Sequence, residues 1–439
     1  MRGCAPRENA PRQLALGSAG ASPYARTLPQ ALCAGRTPRP QKRGNKTVNQ
    51  TNASGYRPLG LYLHIPFCAR KCPYCDFYSV EQSALIDDYL CALLNQMRDY
   101  APSCRAYRLD TLFVGGGTPS LLSPRQWDRL LRGVEQNFRL SRDMEVTVEV
   151  NPDSASQKQL SHLHRLGVNR LSIGAQSFDD TLLKAIGRLH SAQRIRETVR
   201  EARRAGFDNV SLDLMYGLPG QTPRQFYDSL QEAFALDVEH LSAYGLKVEP
   251  STPFGRMGDA LPLPDDDTWA DEYLALCSMA RQAGYYQYEI SNFAKPGRAS
   301  RHNLKYWTLQ EYLGLGPAAH SYFGNRRFGF VRDLKAYCAF YGVPPKHRDP
   351  ELSLLSEYRE IAPQDAPADY VMLSLRLTRG LDTQEFSKIY GRDFEVLTRG
   401  HLSRYLEAGL MKKEGTRYCL TPRGFLVSNA ILADLIDWN

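Results

Sequence analysis

Tyr62-Leu63-His64-Ile65-Pro66-Phe67-Cys68-Ala69-Arg70-Lys71-Cys72-Pro73-Tyr74-Cys75 is the stretch on which the reading turns. It continues an apolar run, Leu59–Ile65, that predicts a buried strand. Three cysteines follow at x3 and x2 spacing, on a loop just after the strand. Thiolates so placed suit an iron–sulfur cluster or zinc. A closed zinc site and a four-cysteine ferredoxin site each take four ligands, and no fourth cysteine stands nearby. Three thiolates can grip three irons of a cubane and leave the fourth iron open. A zinc knuckle completed by a distant ligand is the competing reading.

Downstream, strands alternate with helices. Ser83–Tyr100 has a helical period, and Thr111–Val114 reads as a strand that runs into a Gly-rich turn and a helix from Pro124. The strands Glu145–Val150, Arg170–Gly174, Asn209–Leu214 and Glu239–Tyr244 follow, with helical stretches between them. Six βα units in a row imply a parallel sheet with covering helices, curled into a partial (β/α)6 barrel over residues 56–290. In such a barrel functional groups sit at the C-terminal ends of the strands. The cysteine loop, Gly115-Gly116-Gly117-Thr118-Pro119, Glu149, Gln176 and Asp213 all fall there.

Residues 247–350 read as mixed, with Pro/Gly loops, a helix at Asp266–Ala283 and then an aromatic-rich stretch; residues 291–350 form an extension beyond the barrel, with Pro345–Pro350 as a linker. Residues 351–439 read as a small helical domain with a short strand at Arg417–Leu420, like a winged helix. It carries no strong basic stripe, so packing is its expected role.

The 439 residues, 43% of them hydrophobic, are enough for such a barrel and a second domain. The formal charge is +8, but nine of the basic residues lie in the first 50 positions, where Glu8 is the only acid. The excess is therefore a property of the leader and gives no nucleic-acid footprint. Residues 1–55 are Arg-, Ala- and Pro-rich and read as a disordered leader; its prolines argue against an amphipathic transit peptide. The other seven of the ten cysteines are scattered, which fits a reducing compartment. No apolar run is long enough to span a membrane.

The segment Tyr62 to Cys75 resembles the signature of radical S-adenosylmethionine enzymes. More narrowly, the chain from about Leu59 onward is similar to the oxygen-independent coproporphyrinogen III oxidase family. That resemblance implies a [4Fe-4S] cluster on Cys68, Cys72 and Cys75, with S-adenosylmethionine on the open iron. In the family, reduction of the cluster cleaves the sulfonium to methionine and a 5′-deoxyadenosyl radical. The resemblance also implies that Tyr62, Gly116, Gly117, Thr118, Glu149, Gln176, Arg188, Asp213 and Lys247 line the cofactor. Taken singly, a GGG turn, a surface arginine or a strand-end carboxylate is more often structural.

Two departures resemble the family's haem chaperone branch. The oxidases carry a further cysteine two residues after the third, where this chain has Phe77, and the leader does not resemble their N-terminal lid segment. His302-Asn303-Leu304-Lys305-Tyr306-Trp307 reads as that branch's His-Asn-x-x-Tyr-Trp motif and implies that His302 contacts haem. His320, in a shared Gly turn, is a candidate for a second haem contact, though structural packing is its commoner role. His64 is expected to support the cysteine loop. The implied partners are haem, a haem-acceptor protein (a peripheral membrane protein among the candidates) and an electron donor. Nucleic acid is not among them. The expected location is the cytoplasm, or the mitochondrion if the leader is a transit peptide. Radical decarboxylation of coproporphyrinogen is the alternative activity.

Overall fold

The computed structural model describes residues 55–345, 351–398 and 400–438. The leader up to residue 54 and most of the expected linker lie outside them. Six strands run in chain order and in parallel: β1 (Arg57–Ile65), β2 (Tyr107–Gly116), β3 (Leu140–Val150), β4 (Arg170–Gln176), β5 (Val210–Tyr216) and β6 (His240–Gly245). A helix follows each of the first five on its way to the next. This is the expected partial barrel.

The sorting of residues explains why these segments curl around a polar interior. In β1 the leucines and isoleucine at 59, 61, 63 and 65 are fully buried, and Gly60, Tyr62 and His64 alternate with them. Strand side chains change face at every residue. The register then carries the second face across the barrel. Tyr62 stands opposite Phe113 in β2, which stands opposite Thr147 in β3, which stands opposite Arg170 in β4. One face of the sheet is thus aliphatic and packs under helices such as Ile86–Tyr100, whose inner side buries Tyr89, Leu90, Leu93 and Met97. The other face lines the lumen and is polar. Burying each aliphatic side chain contributes about 1.5–3 kcal/mol.

The sheet is wider than the sequence suggests. On one edge β7 (Tyr286–Glu289) and β8 (Asn292–Ala294) add to β6 as an antiparallel pair. On the other, β9 (Tyr312–Leu315) joins β1 in parallel. Beyond it lie the antiparallel strands β10 (His320–Phe323), β11 (Arg326–Phe330) and β12 (Leu355–Glu360), which complete twelve strands. The segment expected to be an extension beyond the barrel is therefore built into the barrel sheet, and β12 reaches past the expected boundary at residue 351. Strands of four to six residues give too short an alternation to stand out. The β10–β11 turn is Gly324-Asn325 with φ of +61° and +63°, the geometry of a two-residue hairpin turn.

The small domain holds helices Ala366–Ser374, Thr383–Tyr390 and His401–Glu407. Its antiparallel sheet is formed by β13 (Leu381–Asp382), β14 (Met411–Glu414) and β15 (Arg417–Leu420), with β15 in the middle. Three helices and a small antiparallel sheet accord with the winged-helix likeness.

Candidate cluster and cofactor site

The cysteine loop leaves β1 at Ile65 and is closed at its base. Val80 N–H donates to Pro66 O at 2.9 Å, and Cys68 N–H donates to Val80 O at 3.1 Å. Within the loop Cys75 N–H donates to Cys72 O at 3.1 Å. All three thiols are free and partly accessible. Among the described residues no three His, Cys, Asp or Glu side chains converge to hold one metal ion. Thiols spread around a loop suit a cubane, whose corners are separate irons, better than a single zinc ion. Burial pushes the Cys75 thiol up to about 11; metal coordination would deprotonate it.

The glycine turn after β2 locks onto that loop. Gly117 N–H donates to Ile65 O at 2.8 Å, and Thr118 N–H donates to Phe67 O at 2.7 Å. The Thr118 hydroxyl donates to Cys68 Sγ at 3.5 Å. A Cβ at Gly117 would sit 2.6 Å from Phe67 O, and one at Gly115 would sit 2.7 Å from the Glu149 carboxylate carbon. Side chains are thus excluded by close backbone approach. Gly116, at φ +110°, donates its N–H to Glu149 at 2.9 Å.

Burial pushes the Glu149 carboxyl up to about 7, against the Gly116 N–H that favours its charge. A buried carboxylate with one backbone donor retains lone pairs for a ligand amine or hydroxyl. On β5, Asp213 accepts from the Ser172 hydroxyl at 3.1 Å. Burial raises its pKa too, although Ser242, Ser172 and Arg170 oppose the rise. Gln176 ends β4 at φ +63°, rare for a residue with a side chain. A Cβ at Gly174 would lie 2.9 Å from its amide nitrogen and 3.3 Å from Arg188 Nη2.

Arg188 crosses to the cluster loop. It donates to Gly174 O at 2.9 Å and to Asn151, and its Nη1 lies 3.8 Å from Cys72 Sγ. Taken singly it would read as a surface arginine; the structure makes it a half-buried link between β4 and the cysteine loop. Tyr62 OH and His64 Nδ1 are 3.0 Å apart, and His64 Nε2 lies 2.9 Å from Tyr78 O, so His64 braces the far end of the loop. Burial lowers the His64 pKa to about 4.

Two candidates stand apart. Lys247, just past β6, is paired with Glu249 at 2.6 Å near the surface. His302 lies on the short helix Arg301–Trp307, which plugs the opposite end of the lumen. Its Nδ1 is 2.8 Å from Thr111 Oγ1, its Nε2 is 3.0 Å from Tyr306 OH, and its backbone N–H donates to Glu145 at 3.0 Å. It is fully buried, and burial lowers its pKa to about 3. Thr111 is level with Gly60, five strand residues or about 16 Å from Ile65. In this arrangement both ring nitrogens are taken, and haem ligation by His302 would require breaking one of these bonds and opening a fully buried site.

Sequence reasoning missed Asn151 and Gly174 as the anchors of Arg188, and Thr111 and Glu145 as the anchors of His302. No sequence pattern marks them; strand register brings them in.

Six parallel strands opening on a C-x3-C-x2-C loop, backed by a GGG turn and strand-end carboxylates, define the class of radical S-adenosylmethionine proteins. The model of the radical SAM superfamily matches residues 62–233, and that of the HemN C-terminal domain matches residues 361–427. The Bacillus subtilis protein named "Heme chaperone HemW" is 39% identical, over 84% of this chain and 97% of its own. Its Escherichia coli namesake is 36% identical, over 85% and 97%. Among solved structures, the coproporphyrinogen III oxidase HemN from Escherichia coli, described as a radical SAM enzyme, matches with a TM-score of 0.76. It is 26% identical, over 88% of this chain and 91% of that one. The chain belongs to the HemW haem chaperone branch of the coproporphyrinogen oxidase family, within the radical SAM superfamily.

Proposed function

We propose that this protein binds haem and transfers it to an acceptor protein, and that it carries a [4Fe-4S] cluster on Cys68, Cys72 and Cys75 with S-adenosylmethionine at the open iron. The observation that carries the haem role is its likeness, over nearly their full length, to proteins named haem chaperones. Phe77 supports it: the residue that replaces the oxidases' extra cysteine is 67% exposed beside the cluster loop. Gly116, Gly117, Thr118, Glu149, Gln176, Arg188 and Asp213 are proposed to hold S-adenosylmethionine. Tyr62 and Lys247 lie at the margin of that set. When bound, cluster and cofactor together supply one-electron chemistry; the residues here bind, orient and exclude water. An electron donor is a required partner.

A cytoplasmic location is proposed. Among the described residues no helix is long and apolar enough to cross a membrane, and the leader lies outside them.

The second reading is coproporphyrinogen III decarboxylation, favoured by the match in fold to the Escherichia coli oxidase. The test uses anaerobically reconstituted protein. One sample is titrated with haemin and then mixed with an apo-haemoprotein. A parallel sample receives coproporphyrinogen III, dithionite and S-adenosylmethionine. Saturable binding near one haem per chain, with transfer and without vinyl product, is expected. Vinyl product without stoichiometric haem binding would replace the chaperone reading by the oxidase.

A further inference from the structure

We infer that His320, rather than His302, supplies the imidazole that takes the haem iron, with Glu357 holding its ring in place. The inference rests on the haem-binding function proposed above and assigns that ligand to a particular side chain.

The argument starts from strand register. Tyr312 of β9 lies opposite Gly60 of β1 on one side and Tyr322 of β10 on the other. Gly60 and Tyr62 face the lumen, and faces alternate with period two. Tyr322 and His320 therefore share the lumenal face. On β11 and β12, His320 pairs with Gly329, and Gly329 pairs with Glu357. The three form one row across the sheet.

That row is built to hold an imidazole. A Cβ at Gly329 would lie 2.8 Å from His320 Nδ1 and 2.9 Å from Cε1, so the ring occupies the space that glycine leaves. Leaning over Gly329, it brings Nδ1 to 2.8 Å from Glu357 Oε1. Nε2 has no hydrogen-bond partner among the described residues, and the side chain is 52% exposed. An imidazole with one nitrogen on a carboxylate and the other open is the arrangement found in metal-ligating histidines: the carboxylate fixes the tautomer and raises the ring's basicity.

The position also suits a ligand handled beside the cluster. His320 begins β10 at the end of the sheet where the cysteine loop emerges. Arg332, just after β11, is paired with Asp76, the residue after Cys75, at 3.2 Å. Leu334 N–H donates to Tyr78 OH at 2.7 Å.

The other described histidines are less suited. His64, His190, His240 and His302 are buried. His162 and His401 also touch carboxylates, Asp128 and Asp434, but from an outer helix and from the small domain, and His164, on the same outer helix as His162, packs edge-on against Phe207.

The test is a haemin titration of the full, cluster-reconstituted chain, read by Soret absorption and by the ferric haem electron paramagnetic resonance signal. Wild type, His320→Ala, Glu357→Gln and His302→Ala are compared, with cluster iron content confirming the fold. His320→Ala is expected to bind haemin at least about tenfold more weakly and to lose the imidazole-ligated spectrum. Added imidazole should restore that spectrum. Glu357→Gln should weaken binding by about tenfold. If His320→Ala matches wild type in affinity and spectrum, or only His302→Ala loses the spectrum, the assignment is wrong. If wild type itself shows no saturable haemin binding, the haem-binding function fails and this inference with it.

Discussion

Gly117 joins two loops through its backbone, and a methyl group there has nowhere to go. Its neighbours are the carbonyls of Phe67 and Ile65, which cannot rotate away as a side chain would. Gly117→Ala is expected to cost about 1–3 kcal/mol and to lower the iron retained after anaerobic reconstitution, because the displaced strand end carries Cys68. Gly284→Ala is the control: it has φ +84° with no atom near its missing Cβ. It should cost about 1–2 kcal/mol and leave iron content unchanged.

Glu149 gives a residue-scale prediction with a sign. Its ligand-free pKa is raised to about 7 by burial, so the carboxyl is protonated below that pH. A cofactor ammonium or hydroxyl that needs the carboxylate must first displace the proton. Affinity for S-adenosylmethionine should then fall by up to about tenfold per pH unit as the pH drops below about 7. Glu149→Gln should bind more weakly and lose that dependence. Equilibrium dialysis across pH 6 to 8 measures both; an unchanged slope in Glu149→Gln would remove Glu149 from the cofactor site.

At the scale of elements, the helix Arg301–Trp307 is the part whose role changed most between sequence and structure. The motif His-Asn-x-x-Tyr-Trp was legible, but its neighbours were not. Lys305 pairs with Asp110 at 2.8 Å, and His302 reaches Thr111, so the helix works as a plug. Only strand register reveals this. His302→Ala should therefore destabilise the fold by about 2–4 kcal/mol through a cavity and two unpaired hydroxyl groups. Stability should also depend on pH. The folded pKa values of His302 and His64 are depressed to about 3 and about 4. Their contribution is thus complete above the unfolded value near 6.5 and is lost as pH falls below it. The loss approaches about 1.4 kcal/mol per pH unit for each ring. Urea midpoints at pH 7.5 and 5.5 should converge partly in the His302→Ala variant.

The βα units were legible because long apolar strands between periodic helices leave few alternatives. The outer strands β9 to β12 were not, although Gly324-Asn325 between aromatic runs was a hairpin signal. The cysteine loop could be found from spacing alone, whereas the glycine turn was legible as a turn and took its role only from the family resemblance. Glu357, the partner of His320, could not: it lies 37 residues away and meets the histidine only across β11.

On the scale of the whole molecule, the twelve-stranded sheet puts its polar face around one lumen. The cluster loop closes one end and the plug helix the other. Glu149, Asp213, Arg188 and the three cysteines come from four separate segments and meet at the strand ends, as the barrel's geometry demands. The small domain packs onto the same hydrophobic core as the barrel and needs no nucleic-acid role to explain its presence. The proposed chaperone function requires this assembly to hold an open cluster whose fourth iron accepts the cofactor.

The most direct measurement is electron paramagnetic resonance of the anaerobically reconstituted, dithionite-reduced chain, with and without S-adenosylmethionine. The expected result is about four irons and four sulfides per chain, with a cluster signal whose g-values change when S-adenosylmethionine is added. Cys72→Ser should abolish that signal. A spectrum indifferent to S-adenosylmethionine, or full iron and sulfide content in Cys72→Ser, would contradict the open three-cysteine cluster.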